Sequence, residues 1–178
     1  MDRTLLRSKF IKRFGSDPET IRDIKDIEKI EQIDADERFP CQSPNEALML
    51  ASQAFPQATA ISFLPNGSVS DVPINWMNKE YQEEVYRAAN MFHSLGLQSD
   101  QSVIFLLPNV PQFLFGLWGA QLAGIAAPIN PYLEVEHIAS IAKSANAKIL
   151  VTLAPSQPGG EDLWNKAMKA KSIASDIQ

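Results

Sequence analysis

Between Ser102 and Leu153, three short apolar runs alternate with two helix-length segments, the pattern of two consecutive βαβ units. Ser102 to Leu107 is almost wholly apolar, as a parallel strand covered on both faces requires. Pro111 to Ala123 is apolar nearly all round, which predicts a buried helix. Its Gly116 and Gly119 sit where another backbone is expected to approach, at about 1 kcal/mol each in helix propensity. A strand over Ile125 to Ile129 follows, then a helix opening with Glu134 and Glu136, then a strand ending near Thr152. A charged helix near Glu161 to Lys171 and a polar tail complete the pattern.

Upstream, Ser43 caps a helix that breaks at Phe55-Pro56, and a strand is predicted over Ala58 to Leu64. Pro65-Asn66-Gly67-Ser68 is turn chemistry, with Asn-Gly as a hairpin signal, and Val69 to Trp76 reads as the return strand. Asn78 is placed to cap the next helix. There Tyr81, Val85, Ala88, Phe92 and Leu95 share one sector, and Gly96 ends the helix as a left-handed cap.

The first 40 residues read differently. Met1 to Gly15 mixes Arg3, Arg7, Lys9, Lys12 and Arg13 with Leu5, Leu6, Phe10, Ile11 and Phe14. On a helical wheel Arg3 and Arg7 flank the Phe10 and Phe14 face, so a leader helix is preferred to a membrane anchor or a presequence. Ser16-Asp17-Pro18-Glu19 starts a second helix, in which Ile21, Ile24, Ile27, Ile30 and Ile33 form a stripe that winds around the axis. Asp34 to Pro40 is a polar connector, which divides the chain into a helical extension (1–40) and a domain portion (41–178).

Composition narrows the classes. A formal charge of −5 argues against nucleic acid as a partner. The single Cys41 cannot form an internal disulfide, which fits a cytoplasmic protein. The longest apolar run, Phe113 to Ile129, is shorter than the roughly 20 residues of a spanning helix and is ended by Pro128, so no transmembrane span is expected.

Candidate chemistry is sparse. Asn109 and Asn130 each follow a parallel strand, and Thr152 lies near the end of the third, where open α/β sheets place ligands. The alternative for both asparagines is ordinary capping beside Pro. His93 and His137 have no partners at ligand spacing, so no metal site is expected. Glu134 and Glu136 suit the positive end of a helix better than paired acid–base work. No catalytic residue is assigned.

The residues Leu107-Pro108-Asn109 with Pro111, Ala123-Gly124, Pro128-Ile129-Asn130-Pro131, and Glu134 with Glu136 come in an order that resembles the AMP-forming acyl-CoA synthetases. The likeness reaches back to about Ser43 and includes Ala89, Phe92 and Gly96; Asp100-Gln101 departs from the family's Gly-Asp. The resemblance implies an α/β fold: the N-terminal part of the large domain of an adenylate-forming enzyme. This would be a doubly wound, mostly parallel sheet with flanking helices and a β-hairpin, preceded by a helical leader. It implies a parent that uses ATP, Mg²⁺ and CoA to convert a carboxylic acid, expected to be fatty, to acyl-AMP and then acyl-CoA.

The family's Ser/Thr/Gly-rich phosphate loop ending in Pro-Lys has no counterpart here. The only adjacent glycines, Gly159-Gly160, have no nearby Lys, and none of the four threonines lies in a Gly-rich run. Its Tyr-Gly-x-Thr-Glu motif, its hinge and its C-terminal catalytic Lys are also missing. The segment is therefore expected to be inactive alone, to bind no cofactor itself, to partner the remainder of its parent and to self-associate through the surface that remainder would cover. A fatty acyl-AMP ligase, another adenylation domain, and a non-catalytic binding module remain open.

Overall fold

The computed structural model describes residues 23–32, 34, 41–174 and 177. Eleven elements follow in chain order among them. They are α1 (Ile24–Glu31), α2 (Pro44–Ala54), β1 (Thr59–Phe63), β2 (Ile74–Met77), α3 (Asn78–Ser94), β3 (Ser102–Leu106), α4 (Pro111–Ala123), β4 (Ile125–Pro128), α5 (Val135–Ser144), β5 (Ala147–Thr152) and α6 (Gly160–Ile173). The leader over 1–15 and the start signal at Ser16-Asp17-Pro18-Glu19 lie outside the described residues.

The chain divides into two compact units, Met1–Ser62 with Ile74–Gln82, and Phe63–Pro73 with Glu83–Gln178. In the first, α1 leaves Ile24 and Ile27 exposed. The N-terminus of α2 is a capping arrangement: Ser43 Oγ accepts from Glu46 N (3.2 Å) and Glu46 Oε2 accepts from Gln42 N (2.8 Å). β1 and β2 pair in a two-stranded sheet. Side-chain links run from Thr59 to Met77 and from Ser62 to Asn75, so the strands run in opposite directions.

The return strand is shorter than the sequence predicts. Only Ile74–Met77 is a strand, and Val69 and Val72 stand at 108% and 82% exposure in a loop. The β-branched Val69, Val72 and Ile74 lend the stretch strand propensity, while Asp71 folds the segment back on itself. Asn78 also differs from expectation. Its Nδ2 donates to Phe55 O (2.9 Å), and the amides of Asn78 and Lys79 are satisfied by Ala58 O and Pro56 O. Met77 N donates to Glu80 Oε2 (2.9 Å), so Glu80 reaches back to the residue ahead of the helix.

In the second unit β3 is central, with every residue buried, and pairs in parallel with β4 on one side and β5 on the other. Side-chain alternation divides its residues between two cores. Val103, Phe105 and Leu107 pack with Phe92 and Leu97 near the end of α3 and with Ala120 and Ala123 of α4. Ile104 and Leu106 pack with Ile138, Ala139 and Ala142 of α5 and Ala167 and Ala170 of α6. Helices therefore cover both faces, and the sheet is doubly wound as the sequence predicts.

Two glycine positions decide how closely the layers approach. A Cβ on Gly119 would meet α3 backbone at Ala89 N (2.8 Å) and Val85 O (2.9 Å), whereas one on Gly116 would meet the Phe105 ring (2.7 Å), not a backbone. α3 ends in a Schellman turn: Gly96 is left-handed (φ 79°), Leu97 N donates to Phe92 O and Gly96 N to His93 O. α4 exposes only Gln112 and Gln121, in keeping with a buried helix. Among the described residues no helix is long and apolar enough to cross a membrane.

Candidate functional site

The loop after β3 leads to α4 on one face of the sheet, while those after β4 and β5 lead to α5 and α6 on the other. Adjacent connections that leave toward opposite faces open a crevice at the carboxyl ends of the strands. Phe105 pairs with Pro128 and Leu106 with Thr152, so the three predicted residues share this edge: Asn109 three residues beyond β3, Asn130 two beyond β4, Thr152 at the end of β5.

Their local chemistry differs. Asn130 is taken up by its own loop: its Oδ1 accepts from Tyr132 N (2.9 Å) and its carbonyl from Leu133 N (3.2 Å). That is the capping alternative. Asn109 is exposed in the turn closed by Val110 N and Pro108 O (2.9 Å). Thr152 Oγ1 is buried without a hydrogen-bond partner. A buried hydroxyl lacking a partner costs about 1–3 kcal/mol, and of the three it is the one whose polar atom is shut away from solvent. Alternation with Leu150 puts it on the α5/α6 side of the sheet.

Sequence reasoning missed Lys166. From α6 its Nζ donates to Pro131 O (2.9 Å) and Leu133 O (3.0 Å), pinning the loop that Asn130 shapes. Three of the loop's carbonyls and two of its amides are thus held, and Tyr132 projects into solvent from a fixed backbone. No local pattern announces this clamp, because its partners lie 33 and 35 positions away.

The only adjacent glycines are explained by packing. Gly159 is left-handed (φ 69°), Gly160 N donates to Gln157 O (2.8 Å), and a Cβ on Gly160 would run into Ala154 O. The amide of Gly160 is therefore engaged. Both histidines are exposed, and among the described residues no group of three or more His, Cys, Asp or Glu is placed to hold a metal ion. A depression of ≈ 210 Å³ lined by Ala142, Lys143, Asn146, Ala147, Ala174 and Ile177 lies at the opposite, amino end of β5.

These features define a doubly wound α/β domain. The chain belongs to the AMP-binding enzyme family, whose model matches residues 50–177. It is 48% identical over 162 residues to the marinolic acid–CoA ligase of Pseudoalteromonas sp. (strain SANK 73390), covering 91% of this chain and 24% of that protein. That share exceeds what residues 41–178 supply, so the match takes in part of the 1–40 extension. A crotonobetaine/carnitine–CoA ligase of Salmonella arizonae is 40% identical over 76 residues, 42% of this chain and 15% of that one.

Among solved structures, a benzoate CoA ligase from Burkholderia xenovorans LB400 matches with a TM-score of 0.61 at 15% identity, over 75% of this chain and 24% of that one. A Mycobacterium tuberculosis fatty acyl CoA synthetase matches with a TM-score of 0.59 at 20% identity, over 75% and 25%. Both establish the fold. The chain spans about a quarter of the marinolic acid–CoA ligase's length, 24%.

Proposed function

We propose that these residues are scaffold from the N-terminal part of the large domain of an AMP-forming acid–thiol ligase. The whole enzyme activates a carboxylic acid with ATP and Mg²⁺ to an acyl-adenylate and transfers the acyl group to CoA. The carrying observation is the 48% identity, over 91% of the chain, to a protein named as a CoA ligase. The resemblance to longer members of the family supports a fatty or otherwise hydrophobic acid, and the single Cys41 supports a cytoplasmic enzyme.

Neither the paired glycines nor Lys166 fits the phosphates of ATP. Phosphate cradles need free backbone amides and a cation. Here the Gly160 amide is bonded to Gln157, and the Lys166 ammonium is bonded to two carbonyls. No step of adenylate formation is therefore assigned to this segment. Its role is to hold the carboxyl edge of β3, β4 and β5 in place, with Asn109, Asn130 and Thr152 along it. Exposed apolar side chains such as Ile125, Trp164 and Met168 support self-association of the isolated 178 residues.

The test is ATP–pyrophosphate exchange with a panel of acids, run on the full gene product and on the 178-residue chain. The full product should exchange and the short chain should not. Thioester formation with CoA, compared with a pantetheinyl carrier protein, then fixes the acceptor. Exchange by the short chain alone would overturn the proposal.

A further inference from the structure

The loop between β1 and β2 contains an Asn-Gly pair whose reactive atoms are both engaged. Asn66 and Gly67 are exposed, and nothing lies within 4 Å of where a Gly67 Cβ would be. An asparagine followed by glycine is the arrangement in which a carboxamide cyclises most readily onto the next backbone nitrogen, because glycine offers no side-chain obstruction. Here Asn66 Nδ2 donates to Asp71 Oδ1 (2.9 Å), and Asn66 N donates to Asp71 Oδ2 (2.7 Å). Ser68 N reaches the same carboxylate (3.3 Å), and Gly67 N donates to Leu64 O (3.2 Å).

We propose that Asn66 is a site of spontaneous deamidation and that Asp71 is the gate that sets its rate. Gly67 N attacks Asn66 Cγ; the Cγ–N bond forms, the Cγ–Nδ2 bond breaks, and ammonia leaves with the proton lost from Gly67 N. Water then opens the cyclic imide at either carbonyl, leaving an aspartyl or isoaspartyl residue, so one water enters and one ammonia departs overall. The attack needs Cγ turned onto the nucleophile at near-contact distance. The Asp71 carboxylate resists that rotation by holding both the side-chain and the main-chain nitrogen of Asn66.

The product does not fit the clamp. A carboxylate at position 66 has no hydrogen to offer Asp71 and places two negative charges where a hydrogen bond stood. Each conversion therefore releases the 66–71 loop irreversibly, and with it the exposed Val69 and Val72. Asp71 is half-buried but belongs to neither core, so its replacement leaves both untouched.

The experiment incubates the 178-residue chain in mildly alkaline buffer and follows the peptide spanning 64–73 by mass spectrometry, scoring the amide-to-acid mass gain and isoaspartate. Native wild type should react at least about tenfold more slowly than the same chain in denaturant, a ratio that hydrogen bonds to a charged acceptor can supply. Asp71→Ala and Asp71→Asn, each confirmed folded by circular dichroism, should move toward the denatured rate, and Asn66→Gln should abolish the signal. Asp71→Asn provides the reading if Asp71→Ala fails to fold. Equal native rates with and without the Asp71 carboxylate, or a native wild type as fast as the denatured chain, overturns the proposal.

Discussion

The α carbon of Gly119 lies so close to α3 that a side-chain carbon there would sit 2.8 Å from the backbone nitrogen of Ala89. Gly119→Ala gains about 1 kcal/mol in helix propensity. It forces two backbones apart at about 1–3 kcal/mol, so a net loss of stability is expected. Gly119→Val should lose more. Urea unfolding of the three chains checks the order through the midpoint, with the slope unchanged.

Phe105 meets Phe92 edge-on at 6.2 Å and Phe113 edge-on at 5.9 Å, with Gly116 giving its ring room. Truncation of a buried Phe to Ala costs about 3–5 kcal/mol. Gly116→Ala should be destabilising alone and milder when Phe105 is already Leu. A double-mutant cycle in denaturant reads that coupling, and additive effects would show that the ring does not fill the space.

Lys166→Met removes two charge-assisted hydrogen bonds from Pro131 O and Leu133 O. A loss of about 1–3 kcal/mol is expected, with Lys166→Arg partly restoring it. Amide exchange at Leu133, whose N–H is bonded to Asn130 O, should quicken selectively in the Met variant.

Thr152→Val replaces a buried, unpartnered hydroxyl with a methyl of similar shape. In the 178-residue chain it should be neutral or stabilising by up to about 1–2 kcal/mol, read as a higher thermal midpoint. In the ligase proposed above, Asn109→Ala, Asn130→Ala and Thr152→Ala together should raise the Michaelis constant for ATP or for the acid. Unchanged constants would remove all three from the site.

The Asn66 side chain, followed by the backbone amides of Asn66, Ser68 and Gly67, holds the Asp71 carboxyl below the usual aspartate range. A carboxylate whose native pKa is depressed contributes stability that is complete above the unfolded value and is lost as pH falls through the native one. Protection of the Asn66 and Ser68 amides should therefore persist through neutral pH and disappear under acid, while Asp71→Asn should flatten the profile. Hydrogen exchange between neutral pH and about pH 2 measures both.

The sequence foretold the parallel strands and their helices because burial on both faces leaves an unbroken apolar signature, as in β3. Gly96 was legible because a left-handed helix end requires a residue without Cβ. The stretch Val69 to Pro73 misled because valines after an Asn-Gly turn signal read as a return strand, while the Asp71 clamp that bends it involves side-chain geometry. At the sheet's edge, topology was legible and bonding was not. Nothing local separates Asn130, held by its own loop, from Thr152, whose hydroxyl is unanswered.

Odd-numbered residues of β3 belong to one core and even-numbered residues to the other. Deleting one residue within the strand would trade the contents of the two interiors, sending each downstream side chain into a space shaped for its neighbour. The spacing from Gly96 to Ser102 is therefore under the same constraint as the buried residues themselves. Within it, Gly96 closes the helix and Leu97 is buried beside Phe92, so the turn's length and its first residues are tied to the same interior.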